Sequence, residues 1–482
     1  MPTFQDLVKG KGVIDFRPYL LYLINSGAYA ALNPFLSIIL DDRGLDEFQI
    51  GIVLAVTPLV NFIGSPSGGY LYDLSNESKL VWILFIIMGA SVIQLLLATE
   101  NFYFIICICA LWSFALSPID SILNHAVLTH LGENKKDYGK HRLWGAVSWG
   151  IVSFIMGILL TYFTIYISFI SYFVGLICYC WFIYITKIPK VSAVPIDIET
   201  TLESLVEENY EPNIEILQKE SFEHVHIDEN IEPEQVVDEI NIEEEIPKEI
   251  DEIDEPKPDI WKSLLKVKVI IFYILVFIMG VATTVIYGYL FLYIDDLGGS
   301  ETLMGISLVC TVATEIPFFF YSGKFLELFG EEFLILSAMV AYVIRVLGYS
   351  ILQNPWWVLP LELLHGLTFG AMYAAGIHYS SNLFPAKLST TGQGIFNGIY
   401  AGLGPFCGGL LGGWLYDSYG PRTMFRILAL FTSFGIILLI CTYWKELYSK
   451  MSILFRNIYK VPLNNDTTTE EIELEELDEQ KN

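Results

Sequence analysis

Twelve long apolar segments run through this chain of 482 residues and restrict what it can fold into. A helix needs about 20 mostly apolar residues to cross the hydrocarbon core of a bilayer. The backbone finds no water there, so a crossing segment must be helical to satisfy its own N–H and C=O groups. The sequence therefore predicts an all-α membrane protein with twelve transmembrane helices. They lie near residues 18–40, 49–70, 80–98, 102–130, 143–163, 165–186, 267–294, 302–322, 333–352, 356–384, 390–416 and 422–444.

A long polar stretch divides these segments six and six. Residues 195–259 hold 24 acidic residues against three lysines, with isoleucine and glutamate alternating between prolines. Such a segment cannot bury enough apolar surface to offset the entropy lost on folding, so we expect it to be disordered. The predicted organisation is a cytosolic N-terminus at 1–17, six-helix bundles at 18–186 and 267–444, an acidic cytosolic linker at 187–266 and an acidic cytosolic tail at 445–482.

The acidity of the chain is confined to the linker and the tail. Residues 195–259 carry −21 and residues 462–482 carry −7 against a formal total of −27, so the remainder is near neutral. No basic surface is available to bind nucleic acid. The sequence also lacks the nucleotide-binding, zinc-protease and serine-hydrolase motifs. We therefore predict no enzymatic activity, no cofactor and no metal. Binding of a cytosolic partner to the linker remains an open alternative.

Basic residues are unequally divided between the two sides of the predicted bundle. With the N-terminus in the cytosol, 23 of the 27 lysines and arginines fall in cytosolic segments. Only Arg43, Arg422 and Arg426 lie on the opposite side, and Arg345 lies within a span. Lysine and arginine concentrate on the cytosolic side of membrane proteins. We therefore predict cytosolic N- and C-termini. The plasma membrane and an endolysosomal or vacuolar membrane both remain open.

A few ionisable residues fall inside the predicted spans, where they cost free energy and normally face a cavity or a partner. They are Asp120, Glu315, Arg345, Glu362 and His365, with His125 and His378 as weaker candidates. Mixed signs favour a polar cavity over a pore, which would carry rings of one sign. The alternative is that these residues form fixed ion pairs between helices and have no part in transport.

Several strings in the spans resemble one transporter family. They include GAYAALNPFLSIIL in the first span, YGKHRLWGAVSWG after the fourth and LLHGLTFGAMYAAGIHY in the tenth. They are similar to the lactose-permease-like branch of the major facilitator superfamily, especially its eukaryotic domain-containing protein 6-like members. The resemblance covers the twelve spans, but not the linker or the tail. It implies two six-helix bundles around a central cavity.

The same resemblance implies which residues bind the solute. Matched residue by residue, the family's solute-binding positions correspond to Tyr29, Asp120, Arg142, Trp149 and Glu315. An arginine opposed by a carboxylate can hold hydroxyl groups directionally, and a tryptophan face can cover the apolar side of a sugar.

The resemblance also implies a proton-coupling group and a gate, and the sequence departs from the family at both. The coupling positions correspond to Arg345 and His365, but Thr368 replaces the family's proton-accepting carboxylate. Glu362 lies one turn before His365 and is the first candidate for the proton, with Glu315 as the alternative. At the gate, the string GGYLYDLSNESKL keeps Gly69 and Asp73 but lacks the usual glycine and arginine that follow the acid.

These observations predict a secondary active transporter that moves a small polar organic solute, sugar-like or nucleoside-like, by alternating access. Its partners would be the solute, a proton and the lipid bilayer. Proton symport is favoured because titratable groups remain within the spans. The alternatives are a uniporter, a non-transporting receptor or scaffold that signals through the acidic loop, and a lipid-handling protein.

Overall fold

The computed structural model describes residues 16–75, 78–131, 138–186, 265–383 and 389–459. Within these ranges the chain is helical and contains no β-strand. The all-α prediction is therefore confirmed. The predicted disordered linker at 187–266 lies outside the described residues except for its last two positions, and the tail lies outside from residue 460 onward.

Twelve helices, α1 to α12, follow the predicted spans in order. Eleven of them are long and apolar enough to cross a membrane within the described ranges. The twelfth, α11, consists of three consecutive segments. The bounds are α1 Arg17–Asp42, α2 Glu47–Leu74, α3 Ser78–Ala98, α4 Phe102–Leu131, α5 Tyr138–Tyr162, α6 Tyr166–Ile185, α7 Val267–Asp296, α8 Glu301–Phe329, α9 Glu331–Ser350, α10 Pro355–Asn382, α11 Ser389–Asn397, Gly398–Leu403 and Gly404–Tyr419, and α12 Pro421–Tyr459.

Short connections join the helices on one side of the bundle, which we call the short-loop face: residues 43–46, 99–101, 163–165, 297–300, 351–354 and 420. Helix-start signals are strong there. Asp46 begins α2 with a capping box, because its carboxylate accepts from the Gln49 N–H at 2.7 Å and the Gln49 side chain bonds back. Gly420, with φ of +77°, ends α11 in a conformation that a side chain would strain.

Three of the helices, α4, α10 and α11, are interrupted within their length. The break in α4 separates Phe102–Leu116 from Ile119–Leu131. It coincides with Pro118, which has no backbone N–H to donate to the hydrogen-bond ladder of the helix. In α10 a π-helical stretch, Gly366–Ala371, follows His365, and α11 contains another at Gly398–Leu403. π-Helical stretches are rare and occur often at functional sites.

The two halves meet near the short-loop face through glycines. In the crossing of α5 with α8, a Cβ added to Gly157 would lie 2.4 Å from the Glu301 carbonyl oxygen and 3.1 Å from the Gly305 Cα. In the crossing of α2 with α11, a Cβ added to Gly409 would lie 2.7 Å from the Ala55 nitrogen. Only glycine allows two helix backbones to approach this closely. These two crossings close the bundle on the short-loop face.

Toward the opposite face the halves separate. In α8 the buried residues run from Leu303 to Val312, whereas Phe320 and Leu328, further along, are 67% and 63% exposed. In α2 the later buried residues, Gly64 and Gly68, pack against α3 and α4 of the same half, and Tyr70 near its end is 64% exposed. The structure therefore represents a state that is closed on the short-loop face and open on the other.

Candidate functional site

The C-terminal half contains a buried ion pair between α9 and α10. Arg345 Nη2 lies 2.6 Å from Glu362 Oε2, and the two side chains are only 4% and 3% exposed. The Tyr349 hydroxyl donates to the other carboxylate oxygen and accepts from Arg345 Nε at 2.6 Å. Both oxygens of Glu362 are therefore occupied. In this state Glu362 is held in a fixed pair, one of the two roles that the sequence left open.

His365 joins this ion pair to Tyr287 and Glu315. Its Nδ1 lies 3.1 Å from Arg345 Nη1. A guanidinium can only donate, so Nδ1 accepts, and we infer that the imidazole is neutral with its proton on Nε2. Nε2 lies 3.1 Å from the Tyr287 hydroxyl and 3.7 Å from Glu315 Oε2. The histidine ring thus lies between Arg345 on one side and Tyr287 and Glu315 on the other.

Glu315 is the more accessible of the two carboxylates near His365. It lies on α8, just beyond the buried stretch, and its side chain is 22% exposed. The backbone N–H of Gly366 donates to Thr314 Oγ1 at 3.1 Å. A Cβ added to Gly366 would lie 2.4 Å from the Thr314 carbonyl oxygen. This close packing of α8 on α10 holds Glu315 beside His365.

In the N-terminal half, Asp120 begins the second segment of α4 and is exposed. Its Oδ1 accepts a hydrogen bond from Asn25 Nδ2 on α1 at 3.1 Å. One turn further along α4, Asn124 Oδ1 accepts from the Tyr22 hydroxyl at 2.6 Å. These two bonds fix α1 against α4 at the level of the site.

Arg142 on α5 is exposed and makes no ion pair with Asp120 in the part of the chain that the structure describes. It nevertheless lies within electrostatic range of both Asp120 and Glu315, which belong to different halves. The role of Asp120 and Arg142 in binding the solute stays a prediction.

The two predicted aromatic residues are half-buried. Tyr29 lies on α1 one turn after Asn25 and meets Tyr172 edge to face, with ring centroids 6.2 Å apart. Trp149 lies two turns after Arg142 on α5, a spacing that places both on one side of the helix.

The predicted gate is not paired in the described residues. A Cβ added to Gly69 would meet nothing within 4 Å. Asp73 is exposed near the end of α2 and forms no ion pair there. Lys79 instead donates to the Thr186 carbonyl oxygen at the end of α6. A gating role for Gly69 and Asp73 stays a prediction.

Sequence reasoning missed Asn25, Tyr287 and Tyr349. Asn25 carried a usable signal, since it is an amide within the apolar run LLYLINSGAYAAL. Tyr287 and Tyr349 are two of 28 tyrosines, most of which pack in helices, so the sequence did not distinguish them.

Comparisons with known proteins agree with this architecture. The sequence-family model described as "MFS_1 like family" matches residues 18–427. Maltose permease of Geobacillus stearothermophilus is 19% identical over 422 residues, covering 87% of this chain and 92% of that protein. Major facilitator superfamily domain-containing protein 6-like protein A of Xenopus laevis is 28% identical over 100 residues, 21% of this chain and 16% of that protein.

Solved structures extend the likeness to the whole fold. The crystal structure of the nucleoside transporter NupG superposes with a TM-score of 0.62 at 14% identity, and the match covers 92% of this chain and 98% of that one. At this level of identity the likeness establishes the fold alone.

Proposed function

The chain belongs to the MFS_1 like family of the major facilitator superfamily, so it is a multi-pass membrane transporter, and from that premise we propose that it moves a small polar organic solute by alternating access. The observation that carries the proposal is the placement of polar side chains from both halves around one space. Arg142 of one half lies within electrostatic range of Asp120 and also of Glu315 of the other half, and Glu315 lies 3.7 Å from the His365 ring. A solute bound there would touch both halves, and closure of the open side would enclose it.

The chemistry of the site favours a solute with several hydroxyl or amide groups. Asp120 and Glu315 offer acceptors, Arg142 offers up to five donors, and Trp149 and Tyr29 offer aromatic surface. Such a set suits a sugar-like or nucleoside-like molecule. A maltose permease and a nucleoside transporter among the similar proteins support this solute class.

We further propose that Glu315 carries the coupling proton. The sequence favoured Glu362, but Glu362 is bound on both oxygens and nearly inaccessible. Glu315 has an accessible carboxylate and lies beside the Nε2–H of His365. A proton on Glu315 would let that carboxyl group donate to the solute, and its release toward the open side would accompany solute release. The alternative is a uniporter, in which Glu315 binds solute without exchanging a proton.

The predicted topology assigns the observed state to one side of the membrane. With cytosolic termini, the short-loop face lies away from the cytosol, so this structure is the inward-open state. The site then exchanges solute with the cytosol and is closed from the other side by the glycine crossings.

Solute counterflow in liposomes tests the proposal. The full chain is reconstituted and supplied with labelled maltose and labelled uridine against an unlabelled lumenal pool, together with a panel of related sugars and nucleosides. Removing the charge in Asp120→Asn should slow exchange by about 10–100-fold, because a hydrogen bond to a charged group is worth about 1.5–3 kcal/mol. Ser121→Ala, next in the chain, is the matched control: it removes only an exposed hydrogen bond between hydroxyl groups, 3.1 Å from Ser65 Oγ, and should exchange like the parent.

The outcome separates the candidate functions. Exchange by the parent that survives Asp120→Asn would remove Asp120 from the site. A folded parent that exchanges no member of the panel would favour the receptor or scaffold alternative.

A further inference from the structure

Asp120 and Glu315 both face the solute space, but their surroundings differ in a way that assigns them different tasks. Glu315 lies within the continuous helix α8, and its carboxylate lies 3.7 Å from the His365 ring. Asp120 lies in the first turn of the helical segment Ile119–Leu131, where unpaired backbone N–H groups and the helix dipole favour negative charge.

The Asn25 side chain adds a dedicated donor to Asp120. Its Nδ2 lies 3.1 Å from Asp120 Oδ1, and Asn25 is only 3% exposed. The amide nitrogen of Asn25 faces Asp120, which is the orientation that an ionised carboxylate requires because it can only accept. Asn25 Oδ1 is left buried without a hydrogen-bond partner in the described structure. The Asn25 amide thus donates to the carboxylate while its own oxygen stays unsatisfied. This arrangement indicates that the orientation of the Asp120 carboxylate matters.

Around Asp120 the described residues place one cation and three tyrosines. The charged or titratable side chains within electrostatic range of it are Tyr22 and Tyr29 on α1, Arg142 on α5 and Tyr179 on α6. Arg142 is the sole cation of this set, and none of the set is another carboxylate.

We propose that Asn25 is a positioning residue that keeps Asp120 ionised and turns its free oxygen, Oδ2, toward the solute. This inference rests on the proposed function and deepens it, because it makes Asp120 a fixed acceptor and leaves Glu315 as the only proton-exchanging carboxylate of the open cavity. The solute class it implies presents hydrogen-bond donors, hydroxyl or amine groups, to Asp120. A solute that offers only acceptors would find no partner there.

Infrared titration of carboxyl groups tests the proposal without any solute. The full chain in liposomes is titrated from about pH 8 to about pH 4, and subtraction of the Asp120→Asn spectrum isolates the signal of Asp120. In the parent, its protonated band should stay absent down to acidic pH. Asn25→Leu should move the onset of this band upward by about one to two pH units, the effect of losing one hydrogen bond to a charged group.

Two further variants separate positioning from general loosening. Tyr22→Phe breaks the neighbouring bond between α1 and α4 without touching Asp120, and it should titrate like the parent. Asn25→Gln restores an amide donor and should recover part of the shift. If Asn25→Leu fails to insert, Asn25→Ala removes the amide without adding bulk and replaces it in the test.

The proposal is overturned if the Asn25 variants titrate like the parent, if Tyr22→Phe shifts the band as far, or if Asp120 is already protonated near neutral pH in the parent. Solute exchange measured on the same liposomes keeps the two claims apart. An absence of exchange with the infrared shift intact would remove the transport assignment and leave the role of Asn25 standing.

Discussion

Substitution of Gly157 should prevent closure of the short-loop face. A Cβ at this position would lie 2.4 Å from the Glu301 carbonyl oxygen and 3.1 Å from the Gly305 Cα. Backbone atoms of a helix cannot rotate away as a side chain can, so α8 must retreat from α5. The rest of a leucine side chain would widen the gap further.

The size of the expected shift toward the open state follows from the cost of overpacking. Extra methylene groups in a tightly packed site cost about 1–3 kcal/mol, and about 1.4 kcal/mol changes an equilibrium tenfold. Only the closed state suffers this cost, because the helices separate when this face opens. Gly157→Leu should therefore shift the ratio of closed to open molecules by about 5–150-fold toward opening on the short-loop face.

Spin-label distances measure this shift. In a cysteine-free background, Tyr162→Cys and Tyr419→Cys place labels on exposed ends of α5 and α11, one in each half. In the parent, the two labels should lie mainly at one short distance. In Gly157→Leu a longer distance should appear beside the short one or replace it. The matched control is Gly139→Leu on the same helix, where a Cβ meets nothing within 4 Å. A distance distribution in Gly157→Leu that is identical to the parent's would refute the argument.

Three other predictions follow from the same contacts. Gly409→Leu, at the second crossing, should open the short-loop face in the same distance assay, whereas Gly402→Leu, with nothing within 4 Å of its Cβ, should not. Glu362→Gln leaves Arg345 buried without a counter-charge and should destabilise the fold by about 3–5 kcal/mol, whereas the double variant Arg345→Met with Glu362→Leu should recover most of that loss in thermal unfolding. Deletion of 195–258 should leave counterflow in liposomes unchanged; a loss of exchange would show that the linker takes part in the transport cycle.

The fold was largely predictable, because a bilayer leaves few options to a segment of about 20 apolar residues. The helices run past the predicted spans where the chain leaves the lipid core: α2 continues to Leu74 and α8 to Phe329. The open side of the bundle was not predictable. Two states of a transporter differ by only a few kcal/mol, and the sequence encodes both.

The site was predictable in its charged members and not in their partners. Asp120, Glu315 and Arg345 were evident because ionisable groups within spans are rare. The bond from Asn25 to Asp120 joins residues 95 positions apart and depends on how α1 packs on α4. The sequence placed Glu362 and His365 on one helix face, but it did not reveal that Tyr349 and Arg345 occupy both oxygens of Glu362.

Proton-driven accumulation in liposomes tests the central claim most directly. The parent should concentrate a solute that it exchanges when an inward proton gradient is imposed, and the lumen should acidify during uptake. Glu315→Gln should abolish accumulation yet continue to exchange solute, because exchange requires no net release of a proton. Undiminished accumulation by Glu315→Gln, or uptake by the parent with no acidification of the lumen, would contradict the account.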